Sequence, residues 1–192
     1  MVAYEQLLER DALYLFEFSP QVKAFREQPP KFFYADGGKV RRYTADFELT
    51  LPDGSLLLIE VKPTRSLKKN EVQAKLDVIG DAMARQGHQF IVLTEKIIRV
   101  EPRLGNLKIL FPYLCQPIPA ALCLQLRQIP HLANPKAPIL MQELIEHLGS
   151  RANVLRLLAH GLIGFDCMQP ITLDSQIVLF PEEVDHVGID WI

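Results

Sequence analysis

The chain of 192 residues lacks the marks of several common protein classes. It has no run of eighteen apolar residues, so no transmembrane helix is expected, and no basic-then-apolar leader at its start. The expectation is a soluble, unexported, cytoplasmic protein. Cysteine is scarce: Cys115, Cys123 and Cys167 form no CxxC pair, and three widely spaced thiols suit neither a disulfide framework nor a zinc site. They read as reduced core residues. The histidines (His88, His131, His147, His160, His186) form no HxH, HExxH or close Cys/His pair, which argues against a histidine metal site. Internal repeats and low-complexity segments are also missing. A basic surplus is missing too, since the formal net charge is −2, whereas general nucleic-acid binders are usually basic.

What is present is distributed unevenly. Lys62, Arg65, Lys68 and Lys69 form an acid-free strip, while the tail from Pro181 carries Glu182, Glu183, Asp185 and Asp190 with no Lys or Arg. The strip could meet phosphates and the tail a protein; equally, both could be solvated surface. The length suits one main domain with a small appendage.

Ala3 to Phe18 has helical periodicity ending before Pro20, and Glu5 and Glu9 fall within the apolar arc of Leu8, Ala12, Leu13 and Phe16. From Arg41 to Leu51 the period is two, with Tyr43, Ala45, Phe47 and Leu49 on one face and Arg42, Thr44, Asp46 and Glu48 on the other. Pro52-Asp53-Gly54 is turn chemistry, and Ser55 to Lys62 completes a β-hairpin. A helix over Leu67 to Arg85, stopped by Gly87, and a buried strand at Phe90 to Leu93 make this an α/β domain with a mixed sheet. Beyond Pro112, Pro117, Pro119, Pro130, Pro135 and Pro138 suggest an irregular linker. A second unit is expected from about Ala137: a helix over Ile139 to Leu148, another from its N-cap Ser150 to His160, closed by Gly161, then strands at Leu162 to Phe165 and Gln176 to Leu179. That order is compatible with a small winged-helix-like α+β domain.

A three-residue loop would set Leu51 opposite Ser55, Asp46 opposite Glu60 and Thr44 opposite Lys62. Two carboxylates about 5 Å apart would repel by roughly 3 kcal/mol at an effective dielectric near 20. A hard divalent cation such as Mg²⁺ would compensate, and could acidify a bound water. Lys62, on the same face, could instead neutralise the pair as an ordinary ion cluster. From the hairpin alone both readings stand. A buried Glu9 would add weight to the first, because a buried carboxylate needs a partner or a metal.

Asp46, thirteen intervening residues and then Glu60-Val61-Lys62 on adjoining strands match the spacing of the PD-(D/E)xK nuclease core. Further motifs narrow the resemblance: "LLERDALYLFEFSPQV" around Glu9, "REQP" at 26–29, "RRYTADFELTLPDG" at 41–54, "LIEVKP" at 58–63 and "LTEKIIRVEPRLGN" at 93–106. Together they resemble the TnsA-type endonucleases of heteromeric transposases. The resemblance implies a restriction-endonuclease-like mixed sheet flanked by helices over 1–114, and a winged-helix-like partner-interaction domain with an acidic tail over 115–192. It implies catalytic Glu9, Asp46, Glu60 and Lys62, with Glu9, Asp46 and Glu60 as ligands of Mg²⁺ (Mn²⁺ a possible substitute). Gln28 would support the site, and Arg65, Lys68, Lys69 and Arg42 would contact DNA. Glu5 is a rival for the helix carboxylate, and Ala45 stands where the family has proline.

The implied activity is cleavage of the 5′ strand at transposon ends in a cut-and-paste system. The implied partners are double-stranded DNA, a DDE transposase and an AAA+ regulator ATPase in a bacterial cytoplasm, with no membrane. The rival readings are a stand-alone restriction-type nuclease or junction resolvase, and a non-catalytic transposase adaptor.

Overall fold

A computed structural model describes residues 2–129 and 138–179, with side chains from Gln6 onward. The chain divides into two compact units, Met1–Glu17 with Gln21–Val100 and Phe18–Pro20 with Glu101–Ile192. Among the described residues no helix is long and apolar enough to cross a membrane.

The first unit opens on α1 (Val2–Phe18), as its periodicity predicts. Its buried stripe is Leu8, Asp11, Ala12, Leu15 and Phe16. The stripe is therefore rotated from the arc expected: Glu9 lies at its rim, half-buried, while Asp11 lies inside it and is paired with Arg99 Nε at 2.7 Å. The side chain of Glu5 lies outside the described residues.

After α1 come β1 (Ala24–Glu27), β2 (Phe32–Asp36), β3 (Lys39–Tyr43), β4 (Phe47–Thr50) and β5 (Leu56–Val61). They are followed by α2 (Thr64–Leu67), α3 (Asn70–Arg85), β6 (Gln89–Leu93) and α4 (Glu95–Ile98). The main sheet has the order β1-β4-β5-β6, antiparallel except for the parallel β5–β6 pair, whose crossover runs through α3. This is the mixed sheet flanked by helices that the sequence predicts. One face packs on α1, where Phe16 meets Phe25 and Phe47 edge-on or tilted. On the other, Leu58, Tyr34, Tyr43 and Ala45 cluster with Ile79, Ala82 and Met83 of α3. The hairpin register is as expected, with Phe47 opposite Ile59 and the Leu51 N–H donating to the Ser55 carbonyl.

Four expectations need correcting. The strand expected over Arg41 to Leu51 is two strands in different sheets: β3 pairs with β2, β4 joins the main sheet, and 44–46 break between them. The expected charged face of the hairpin is apolar at Leu58, because α3 covers it. The helix expected from Leu67 splits at Lys68-Lys69 into α2 and α3. Finally β6 is an edge strand and only partly buried.

The second unit contains α5 (Arg103–Leu114), α6 (Ala120–Arg127), β7 (Ile139–Leu140), α7 (Met141–Leu148), α8 (Arg151–Ala159), β8 (Ile163–Phe165) and β9 (Gln176–Leu179). The three strands form an antiparallel sheet ordered β7-β9-β8. Ser150 caps α8 as expected, its Oγ accepting the Asn153 N–H at 3.2 Å. The division expected at 114 and the one between the compact units, at 100, do not coincide, because α5 packs on α8. Asn106, 2% exposed, stitches that region together: its Nδ2 donates to the Cys167 and Gln169 carbonyls, both at 2.8 Å, and its Oδ1 accepts the Ile171 N–H. Part of the expected proline-broken linker is α6, anchored by Leu122 and Leu126. Pro130, Pro135, His131, His186 and the acidic tail lie outside the described residues.

Candidate active site

The break after β3 gives Asp46 its place. One residue before β4, its Oδ2 accepts the Val61 N–H at 2.7 Å, while its carbonyl accepts the Gln28 N–H at 2.9 Å. Asp46 thus bridges β5 and the segment following β1. Glu60, near the end of β5, is 5% exposed. Its Oε1 lies 2.9 Å from Lys62 Nζ, and its Oε2 accepts a short hydrogen bond from the Tyr43 hydroxyl. Lys62 Nζ also approaches Asp46 Oδ2 at 3.8 Å and donates to the Val61 carbonyl. Its backbone is held by the Leu93 carbonyl of β6. Three of the expected residues, Asp46, Glu60 and Lys62, are therefore brought together.

Burial raises the Glu60 carboxyl above the ordinary glutamate range, and repulsion from Asp46 raises it further. Lys62 and the Tyr43 hydroxyl pull it back without cancelling the shift. Tyr43 itself is held far above the usual phenol range, first by burial and then by the Glu60 charge. It therefore remains a proton donor to Glu60. The sequence pattern assigns Tyr43 to the apolar face, and its ring is indeed buried, but the break at 44–46 turns it to the α3 side, with its hydroxyl on Glu60.

Beside Asp46 lies a cavity of about 240 Å³ whose walls include Glu9, Glu27, Gln28 and Arg10. Glu9 shares this cavity with Asp46, while Glu60 is not part of its wall. Among the described residues no three Asp, Glu, His or Cys side chains converge closely enough to cage a metal ion. The donor chemistry nonetheless fits a hard divalent cation: the oxygens are carboxylates, and Asp46 is close enough to hinder the ionisation of Glu60.

Gln28 holds a φ of 45°, a left-handed conformation costing an L-residue about 1 kcal/mol, at the edge of this cavity. Glycine would adopt that backbone without strain. Gln28→Gly is thus expected to leave stability within about 1 kcal/mol, its greater freedom when unfolded offsetting the relief. Cleavage should fall about tenfold, as for other supporting groups of a metal site. Undiminished cleavage by this variant in a nicking assay would limit Gln28 to shaping the chain.

Arg65, Lys68, Lys69 and Arg42 are all exposed. Arg65 rides on α2, whose start is fastened by the Thr64 N–H donating to Glu95 at 2.8 Å, and the two lysines follow at the junction with α3. The expectation for cysteine needs correction: Cys167 is buried, Cys123 partly so and Cys115 exposed, all as free thiols. Cys115 follows directly on α5, where the solvent is reached.

A mixed sheet flanked by helices, with two carboxylates and a lysine gathered where an antiparallel hairpin ends, is the arrangement of the restriction-endonuclease-like class. Residues 19–95 match the family described as TnsA-like endonuclease N terminal, which bears out the resemblance carried by the sequence motifs over that stretch. The match takes in Gln28, Asp46, Glu60 and Lys62; Glu9 lies before it. Residues 19–95 are thus similar to a TnsA-like endonuclease domain, which supports a transposon-associated nuclease. Among curated proteins none matches the chain.

Proposed function

We propose that the chain hydrolyses one strand of DNA, the 5′ strand at each transposon end, in a divalent-metal-dependent reaction coordinated with a DDE transposase and an AAA+ regulator ATPase. The observation that carries this reading is the Asp46–Glu60–Lys62 cluster, assembled beside an acid-lined cavity within the family-matched segment. Asp46 and Glu60, with Glu9, would hold Mg²⁺ or Mn²⁺. The metal, when bound, supplies a water of lowered pKa and stabilises charge on the phosphate oxygens. Lys62 places its ammonium where negative charge develops on phosphorus. Tyr43 fixes the Glu60 carboxylate, and Gln28 holds the Asp46 backbone from the cavity side. Arg65, Lys68, Lys69 and Arg42 would bind phosphates.

For the second unit the helix and strand order, with β7 and β8 flanking β9, supports a winged-helix-like domain. In such a domain α8 would be the helix laid in a DNA groove. Here α8 is covered by α5, and its Arg156 donates to Gln116 at 2.7 Å while His160 contacts the Tyr113 and Gln116 carbonyls. That burial favours a protein-docking role, with the acidic tail contributing charge.

The test is a nicking assay with an end-labelled transposon-end duplex, Mg²⁺, and the partner transposase added or withheld. The expected result is cleavage of the 5′ strand that depends on the transposase. Equal cleavage without it would instead support a stand-alone nuclease. The adaptor reading is favoured by the engagement of both Glu60 oxygens, on Tyr43 and Lys62. It is separated by thermal unfolding: metal at a hundredfold its Kd should stabilise the protein by about 2.7 kcal/mol. An adaptor would show no such gain.

A further inference from the structure

The β2–β3 hairpin stands apart from the main sheet as a two-stranded ribbon. Its tight turn is Gly37-Gly38, both at positive φ, a geometry whose twist suits the two strands and that glycine adopts without strain. One face is anchored, with Phe32 and Tyr34 packed toward Ile79, Ala82 and Met83 of α3. The other face is bare. Along it, Phe33 pairs across the ribbon with Arg42, and Ala35 with Val40. Phe33 is 59% and Val40 78% exposed, so two apolar side chains lie beside an arginine in open solvent.

The charge on and beside this ribbon is mainly positive. Lys31, Lys39, Arg41 and Arg42 are set against the single acid Asp36, which Arg41 neutralises at 2.5 Å. Among the described residues Lys31, Lys39 and Arg42 enter no ion pair, so a local surplus stands out from a chain of net charge −2. The ribbon also leads straight into the active site. Its last residue, Tyr43, bonds Glu60, and Asp46 follows three residues later. Its five residue pairs span about 14 Å, roughly four base-pair steps, and a major groove admits a two-stranded ribbon.

We infer that the outer face of this hairpin grips the DNA duplex beside the cleavage site, with Phe33 and Val40 against base edges, Lys31 and Arg42 against phosphates, and Lys39, opposite Asp36 at the tip of the ribbon, against a flanking phosphate. The inference rests on the nuclease reading. It extends the DNA contact from Arg42 to a whole element, and gives an overall acidic chain a local means of holding a polyanion.

The test measures anisotropy of a fluorescein-labelled 30-base-pair duplex of mixed sequence over a salt series, with the full chain and Ca²⁺ in place of Mg²⁺. In Lys31→Ala/Lys39→Ala/Arg42→Ala the dependence of log affinity on log salt should flatten by about 2 to 3 units, each lost phosphate contact contributing about 0.9. Phe33→Ser/Val40→Thr should weaken binding about tenfold with the slope kept, as for loss of apolar base contacts. Because these side chains are exposed, the variants should unfold at the wild-type temperature. Wild-type binding together with unchanged affinity and slope in both variants overturns the hairpin proposal and leaves the nuclease reading standing. Variants that bind duplex normally but lose stimulation by a transposase also overturn it, assigning the face to a protein. A wild-type chain with no measurable duplex binding also overturns the hairpin proposal, and the nuclease reading is then judged by the nicking assay with the transposase present.

Discussion

Asp46→Asn is expected to cut the rate of DNA cleavage about a thousandfold while leaving the fold intact. Asparagine keeps an oxygen where Asp46 Oδ2 accepts the Val61 N–H at 2.7 Å, so the end of the hairpin stays closed. What it loses is the charge. A metal ligand or a transition-state contact in a partly desolvated site contributes about 4 kcal/mol, and each 1.36 kcal/mol is a factor of ten. The same variant should lose the stabilisation by Mg²⁺ expected of the wild type in thermal unfolding. Single-turnover cleavage within tenfold of wild type would remove Asp46 from the chemistry.

Lys62→Met is expected to abolish cleavage and also to destabilise the protein by about 3 to 5 kcal/mol at neutral pH, the usual cost of stripping the partner from a buried charge. Glu60, with a side chain only 7% exposed, would be left with the Tyr43 hydroxyl as its donor and Asp46 as a repelling neighbour. Burial already holds its carboxyl above the ordinary glutamate range, and loss of Lys62 drives it higher. The direction with pH follows. A carboxyl raised in the folded state favours folding below the ordinary glutamate range and loses that contribution as pH rises through its raised value. The cost of Lys62→Met should therefore shrink in mild acid and be largest near neutrality. Adding Glu60→Gln should recover most of the stability and none of the activity, as a double-mutant cycle of denaturant unfolding would show. A single variant as stable as wild type at every pH would mean that the ion pair does not hold the site together.

The elements that the sequence discloses are those set by local chemistry. The periodicity of α1, the Pro52-Asp53-Gly54 turn with its register, and the Ser150 cap of α8 all depend on neighbours within a few residues, and all appear as expected. The break at 44–46 does not: it exists because Asp46 reaches the backbone of Val61, fifteen residues on. With the break unseen, the pattern puts Tyr43 on the same face as Phe47; it is buried as expected, but on the α3 side, with its hydroxyl on Glu60. Asp11 was hidden for the same reason, since its partner Arg99 is 88 residues away. The β2–β3 hairpin was legible in principle from Asp36-Gly37-Gly38 between aromatic and basic segments. The helix α6 was masked by the prolines that flank it.

Position 46 answers to two masters. As a side chain that completes a backbone ladder, it must place an oxygen within reach of one particular amide; as a charge, it would on the proposed function also serve the reaction. Glutamate would carry that oxygen about 1.5 Å farther from the backbone, and alanine would leave the Val61 N–H without it. The paths open to drift at this residue are therefore narrow. A descendant that gave up cutting DNA but kept its shape would be expected to carry asparagine here, so that lost activity would leave a legible scar.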